Sequence, residues 1–406
     1  MTHQRPLRAL LLEGIHPGAR DVLASEGIAV TLLDKSPPKA DLPSMVSEYD
    51  ILGIRSKTQV TAEVLDAAKN LLVVGAFCIG TNQINLVRAN ARGVPVFNAP
   101  LSNTRSVAEL MIGEIIMLSR QLGDRSREVH LGQWNKRATG CREIRGKTLG
   151  IVGYGHIGSQ VGVLAEAMGM RVVFYDVATK LPMGNNRPAA SLDELLAESD
   201  FVTLHVPATA QTRHMMGGSE IAKMRRGSFL LNASRGDVVV IDQLASALSS
   251  GHLSGAAVDV YPEEPEANGA GFATDLQNLP NVILTPHIGG STEEAQEAIG
   301  KEVATALAKF LTSGTTTSAV NFPRVEQPLL AGKHRILNVH KNVPGVLGDI
   351  NRIVSDQKAN ILGQVLVTDP HIGYLIMDLE QDLSQEVCDQ IAALPTSIRT
   401  RRLEER

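Results

Sequence analysis

Short apolar runs recur along the chain, separated by stretches whose apolar positions follow helical spacing. In the first part the runs Leu7–Leu11, Ala29–Leu32, Ile51–Ile54, Leu71–Val74 and Val94–Phe97 predict strands. Residues 17–26, 61–68 and 82–92 predict the helices between them. Strands alternating with helices imply a parallel sheet covered on both faces. Residues 104–125 carry helical periodicity throughout and predict one long helix leaving the first domain. A second series of runs follows at Leu149–Val152, Arg171–Tyr175, Phe201–Leu204, Ser228–Asn232, Gly255–Asp259 and Val282–Leu284, again with helices between. Another long helical pattern, 292–311, is placed to return the chain to the first domain. Residues 312–334 are polar and irregular and read as a linker. Beyond them come strand 335–340, helix 345–357, strands 361–368 and 372–379, helix 384–394 and strand 397–403. That βαββαβ order is the ferredoxin-like split motif. The pattern predicts three domains: a discontinuous one over 1–103 and 292–325, a second over 104–291, and a third over 333–406. A cleft between the first two is the expected ligand site.

The 406 residues are 43% hydrophobic, enough for several cores, with a net charge of −4. That balance gives no reason to expect nucleic-acid or membrane partners. Cys78, Cys141 and Cys388 are scattered and lack CxxC spacing. Neither a disulfide framework nor a metal site is expected, and the thiols suit a reducing, cytoplasmic compartment. The run Ala9–Leu12 is too short for a signal-peptide core or a membrane span.

One turn carries the most chemistry. LGIVGYGHIG (149–158) reads as a strand, a glycine turn and a helix start. Gly153 permits the tight turn, Gly155 lets backbone approach a pyrophosphate, and Gly158 lets the helix pack on the strand. The helix N-terminus offers free amides and a positive dipole end to phosphate. The next strand ends at Asp176, where a carboxylate would take a ribose 2′-hydroxyl and repel a 2′-phosphate, favouring NAD. Downstream, Arg235, Glu264 and His287 each lie at or past the C-terminal end of a predicted strand, where open α/β sheets place their ligands. Arginine grips a carboxylate with a planar fork. Histidine can take a hydroxyl proton as hydride leaves, and a neighbouring carboxylate orients it and raises its pKa. The three suit oxidation of a hydroxy acid. His130, His205 and Cys78 are read as structural.

The segments RSKT (55–58), NAPLSNTRSVAE (98–109), GYGHIG with Asp176, LHVP (204–207), NASRG (232–236), DVYPEEP (259–265) and TPHIGGST (285–292) complete the picture. With them the chain resembles, over nearly its whole length, the D-isomer-specific 2-hydroxyacid dehydrogenases. Within them it resembles the branch that oxidises 3-phosphoglycerate for serine synthesis. The C-terminal module resembles an ACT domain, an amino-acid-sensing fold. The resemblance implies an α/β fold with two Rossmann-like, doubly wound parallel-sheet domains and a C-terminal ferredoxin-like ACT domain. It implies that Arg235 binds the substrate carboxylate and keto oxygen, Glu264 tunes the histidine and His287 is the acid/base. The implied NAD contacts are Gly153, Gly155, His156, Ile157 and Gly158 at the turn and Asp176 at the ribose. Ala233, Ser234, Arg235 and Asp259 would lie near the nicotinamide, with His287, Ile288, Gly289 and Gly290. Arg55, Ser56, Lys57 and Asn103 would line the first domain's side of the cleft, a cationic patch suited to a phosphate-bearing substrate.

His340, Asn342 and Asn360 match positions that bind L-serine where two ACT domains pair, which implies a homo-oligomer, a homotetramer, with serine as effector. The segment around Trp134 is implied in subunit contact. One departure stands out: relatives with strong serine control have a Gly-Gly hinge where this chain has Gly332-Lys333. The implied reaction is NAD-dependent oxidation of 3-phospho-D-glycerate to 3-phosphohydroxypyruvate. The same chemistry on 2-hydroxyglutarate, glycerate or lactate remains open, as does an NAD-sensing, corepressor-like interaction protein.

Overall fold

The computed structural model describes residues 5–265, 268–328, 334–380 and 383–403. The chain forms two compact units, Met1–Ser102 with Gln296–Arg406, and Asn103–Ala295. The first opens with β1 (Arg8–Leu11), α1 (Pro17–Ser25), β2 (Ala29–Leu32), α2 (Leu42–Val46), β3 (Ile51–Ile54), α3 (Ala62–Ala67), β4 (Val73–Ala76), α4 (Leu86–Ala91) and β5 (Val96–Asn98). The strands are parallel in the order β2-β1-β3-β4-β5. Every residue of β3 and β4 is buried, as helices on both faces require. Two strands start later than their apolar runs. Leu71 still bonds the end of α3 through Ala68, so β4 starts at Val73. Val94 closes α4, and Pro95 has no N–H to donate, so β5 starts at Val96.

The second unit begins with α5 (Thr104–Arg120) and α6 (Leu122–His130). The single helix expected over 104–125 is therefore corrected to two. The chain breaks at Gln121, whose φ of 51° is left-handed. The buried stripe of α5 ends at Leu118 and Ser119, and α6 buries nothing that would continue the same axis. Then come β6 (Thr148–Val152), α7 (His156–Ala167), β7 (Arg171–Tyr175), β8 (Arg187–Pro188), α8 (Leu192–Glu198), β9 (Phe201–Leu204), α9 (Gly218–Lys223), β10 (Ser228–Asn232), α10 (Ile241–Ser249), β11 (Leu253–Val258) and β12 (Val282–Leu284). The parallel order is β12-β11-β10-β9-β6-β7-β8. Strand order reverses beside β6, with β7 on one side and β9 on the other. That switch point is where doubly wound sheets open a crevice for ligands.

Helix α11 (Glu293–Ser313) returns the chain, and from Gln296 it belongs to the first unit. Its Val303, Ala304 and Leu307 are fully buried in the core beneath β1, β3 and β4. The stretch read as a linker is corrected over 314–328. Asn321 ties it to β5, accepting from the Val96 amide at 2.8 Å and donating to the Val94 carbonyl at 3.0 Å. Ala319, Phe322 and Val325 are buried among the residues of α11. The Gly332-Lys333 pair lies outside the described residues.

The C-terminal module is β13 (His334–Lys341), α12 (Val346–Asp356), β14 (Ile361–Thr368), β15 (Ile372–Leu379), α13 (Ser384–Ala392) and β16 (Ser397–Leu403). Its antiparallel order is β14-β15-β13-β16, and both helices cover one face. The other face, with Leu337, Val339, Tyr374 and Ile376, shares the core of α11. Buried Arg335 pairs with Asp378 through two bonds of 2.7 and 2.8 Å. It also donates to the carbonyls of Ser313, Gln327 and Pro328. A buried ion pair is tolerable when its remaining donors are satisfied in this way.

Candidate active site

The glycine turn follows β6. Gly153 has φ +91°, and a Cβ there would stand 2.4 Å from the His205 carbonyl oxygen, so no side chain fits. A Cβ on Gly158 would stand 2.1 Å from the Gly153 carbonyl, which lets α7 start flush against the strand. Above Gly155 there is open space. Gly155 caps α7 without a side-chain acceptor, so the amides at His156 and Ile157 face that space uncapped. Asp176 stands at the end of β7, fixed by the amides of Tyr154 and Ala178 at 2.9 Å each. An open cradle, an uncapped positive helix end and a set carboxylate fit a dinucleotide: pyrophosphate at Gly155–Ile157 and ribose at Asp176.

Three further strand ends carry the candidate catalytic side chains. After β10, Asn232 shapes the turn. Its Oδ1 accepts from the Ser234 amide and hydroxyl at 3.1 and 2.8 Å, and its Nδ2 donates to the Arg235 carbonyl at 3.0 Å. Gly236 then presses against the backbone of Tyr261 and Pro262. Arg235 is extended, its Nη1 donating to the Ser234 carbonyl at 2.6 Å, with no ion pair among the described residues. Ala233 packs with the core under the sheet. After β11, buried Asp259 accepts from the Ile288 and Gly289 amides at 2.8 Å each and from the Thr285 hydroxyl at 2.6 Å. These bonds hold His287 at φ 56°. Its Nδ1 donates to Glu264 at 2.8 Å, and Glu264 also accepts from the Tyr261 amide at 3.1 Å.

The hydrogen bond to Glu264 raises the His287 pKa above its ordinary value; burial opposes it, the charges of Glu264 and Asp259 add to it, and Arg235 opposes it. Burial pushes the Glu264 carboxyl up, but His287, the Tyr261 amide and Arg235 outweigh it and hold the group below its usual range. Two groups driven apart, near a guanidinium with no ion pair among the described residues, have the chemistry for acid–base work beside an anion-binding group. Behind them, Glu114 on α5 is buried, and desolvation and the charge of Asp259 push it up to about 8. Neither of its oxygens has a hydrogen-bond partner among the described residues.

Asn103 falls in this unit because it caps α5 and its side chain lies against Gly290. Arg55, Ser56 and Lys57 belong to the other unit, in the loop after β3. In the C-terminal module His340 is buried, its Nδ1 on Asn338 at 2.8 Å. Asn342 is exposed and donates to the Asp369 carbonyl at 2.7 Å. Asn360 bonds Glu380 at the far end of β14, because His340 and Thr368 both register with Gly373 while Ile361 registers with Leu379. Strand rise of about 3.4 Å per residue separates the two ends by roughly 24 Å. One chain therefore keeps Asn360 apart from His340 and Asn342. Sequence reasoning missed Glu13 and Glu114, and took Asn232, Gly236 and Thr285 only as parts of NASRG and TPHIGGST, without a role. Glu114 left a further signal, a carboxylate on the apolar face of a helix.

Comparison with known proteins agrees with this geometry. Residues 112–289 match the D-isomer specific 2-hydroxyacid dehydrogenase, NAD binding domain. Residues 336–399 match the AHAS small subunit-like ACT domain. The chain is 54% identical over 395 residues to a D-3-phosphoglycerate dehydrogenase of Dictyostelium discoideum, covering 97% of each. It is 48% identical over 400 residues to that of Escherichia coli K12, covering 98% of this chain and 97% of the relative. The structure of a D-lactate dehydrogenase from Aquifex aeolicus, complexed with NAD and lactic acid, superposes with a TM-score of 0.66 at 26% identity, covering 78% of this chain and 99% of that one. The chain is an NAD-dependent oxidoreductase and belongs to the D-isomer-specific 2-hydroxyacid dehydrogenase family, among the D-3-phosphoglycerate dehydrogenases.

Proposed function

We propose that this enzyme oxidises 3-phospho-D-glycerate to 3-phosphohydroxypyruvate. The observation that carries the reading is His287 bonded through Nδ1 to Glu264, with the Arg235 guanidinium, which makes no ion pair among the described residues, acting on both. NAD, held at Gly155–Ile157 and Asp176, supplies the hydride acceptor. Arg235 holds the substrate carboxylate and orients C2. The Nε2 of His287, opposite the nitrogen bonded to Glu264, accepts the C2 hydroxyl proton. The imidazolium that forms is stabilised by the Glu264 carboxylate, which keeps its charge throughout. Asp259 keeps the ring in place by fixing the two amides after it. The cationic side chains of Arg55 and Lys57 suit the phosphate.

The C-terminal module supplies a seat for a small-molecule effector, which we take to be L-serine bound by His340, Asn342 and Asn360. Because one chain holds Asn360 apart from the other two, that seat draws on two copies paired along the edge strand β14. This supports a homo-oligomer, a tetramer with a second contact through exposed Trp134. Three scattered cysteines that form no disulfide among the described residues support a cytoplasmic setting. The test measures NADH formation with 3-phosphoglycerate and NADH consumption with 2-oxoglutarate, each with and without L-serine. No turnover of phosphoglycerate would overturn the substrate, and indifference to serine would overturn the effector.

A further inference from the structure

Glu13 sits between β1 and α1 with φ 63°, a left-handed backbone that a non-glycine residue adopts only when its surroundings impose it. Its carboxylate accepts three backbone amides from one loop, more than forty residues away. Oε1 takes Arg55 at 3.1 Å and Thr58 at 2.8 Å, and Oε2 takes Lys57 at 3.0 Å. The Arg55 guanidinium reaches back to the Glu13 carbonyl at 3.4 Å. From the opposite side, the Gln83 amide donates to the Arg55 carbonyl at 2.6 Å. The Thr58 hydroxyl donates to Ser36 at 3.0 Å. A loop whose amides converge on a fixed carboxylate has its conformation set by that carboxylate. Those amides are also spent. A loop of four residues with inward amides can meet an outside anion only through its side chains and the Ser56 amide. Arg55 and Lys57 make no ion pair among the described residues.

We propose that Glu13 is a positioning residue for substrate recognition: it withdraws the amides of Arg55, Lys57 and Thr58 and moulds the loop so that it offers its side-chain cations, with the Ser56 amide alone beside them, to the anionic group of the substrate. The proposal rests on the phosphoglycerate reading above for the identity of that group. Two variants and two measurements test it. Hydrogen exchange of the peptide spanning 55–58 is followed in Glu13→Gln, which keeps the shape of the side chain but loses its charge and one acceptor. Exchange there rises at least tenfold, while a peptide spanning β6 is unchanged. Steady-state kinetics are followed in Glu13→Ala and Glu13→Gln. KM for 3-phosphoglycerate rises at least tenfold, kcat changes less than threefold, and the dissociation constant for NADH is unchanged, with Glu13→Gln between wild type and Glu13→Ala. A general loss of stability would lower activity without that split. Wild-type exchange at 55–58 in Glu13→Gln, or wild-type KM in either folded variant, overturns the proposal. A wild-type enzyme inactive on phosphoglycerate sinks the substrate reading instead, and the exchange measurement still decides the mould.

Discussion

Gly236→Ala adds one methyl group where the Arg235 turn meets the segment leading to Glu264. The new Cβ would stand 2.0 Å from the carbonyl carbon and oxygen of Tyr261 and 2.5 Å from the Pro262 nitrogen. All three are backbone atoms, so no rotamer change relieves the contact. Ordinary contact starts near 3.4 Å, so the two segments must part by about 1.4 Å. Arg235 lies on one segment, and Glu264, which orients His287, lies on the other. A misplacement of about 1 Å costs on the order of 10²-fold in rate, so kcat/KM should fall by about two orders of magnitude. Overpacking costs about 1–3 kcal/mol, which for a unit of this size lowers Tm by roughly 2–12 °C. The glycine turn at 153–158 is untouched, so NADH binding should change less than tenfold. Gly113→Ala is the control, because nothing lies within 4 Å of its Cβ position. There alanine should stabilise α5 by about 0.5–1 kcal/mol and leave kcat/KM intact. Steady-state kinetics, thermal unfolding and NADH fluorescence titration read all three quantities. Wild-type kcat/KM in Gly236→Ala would show that the two segments can part without consequence, and the coupling of Arg235 to the Glu264–His287 pair would be wrong.

Glu264→Gln removes the largest influence raising the His287 pKa. Oxidation needs the neutral ring and reduction the imidazolium, so the acid limb of the oxidation profile and the alkaline limb of the reduction profile should both move to lower pH; limbs that stay in place would refute the role of Glu264. Asp176→Ala should relax the preference for NAD over NADP, read as the ratio of kcat/KM values, and an unchanged ratio would mean that the ribose is recognised elsewhere. Glu114 keeps its proton in the folded state up to about 8, while the unfolded chain releases it near 4.5, so this group subtracts stability progressively as pH rises between those values, by at most about 5 kcal/mol. Glu114→Gln should therefore gain stability relative to wild type between pH 5 and pH 8.5 in urea unfolding, and parallel pH trends for the two proteins would count against it.

Most strands of the two parallel sheets were legible because burial leaves apolar runs, whereas the two-residue edge strand β8, exposed at both positions, left no such run. β3 and β9 start and end where their runs do. The glycine turn was legible because each glycine answers a local steric demand. What stayed hidden was set by partners distant in sequence. Glu13 acts on a loop after β3, and nothing in LLEGIH announces it. The 314–328 segment looked like a linker because its threonines are polar by composition. Thr316, however, is fully buried, its hydroxyl donating to the Pro323 carbonyl and accepting the Val325 amide. The break at Gln121 carries neither Gly nor Pro at the break itself; the loss of a buried stripe decides it.

The segment DVYPEEP holds two carboxylates five positions apart that do different work, and the difference explains a cost elsewhere. Asp259 is buried and bonds backbone: its two amides and one hydroxyl fix the chain around His287, including the left-handed φ that aims the ring. Glu264 is part-exposed and bonds the ring itself, so its charge favours the protonated imidazole. Glu114, packed behind Asp259 with no hydrogen-bond donor to either oxygen among the described residues, is pushed toward its protonated form first by burial and then by the charge of Asp259. Replacing Glu114 by a neutral residue should therefore leave His287 in place. Replacing Asp259 by Asn, which still accepts but no longer bonds both amides and the hydroxyl with full charge, should release the left-handed turn and lower kcat more than it alters KM.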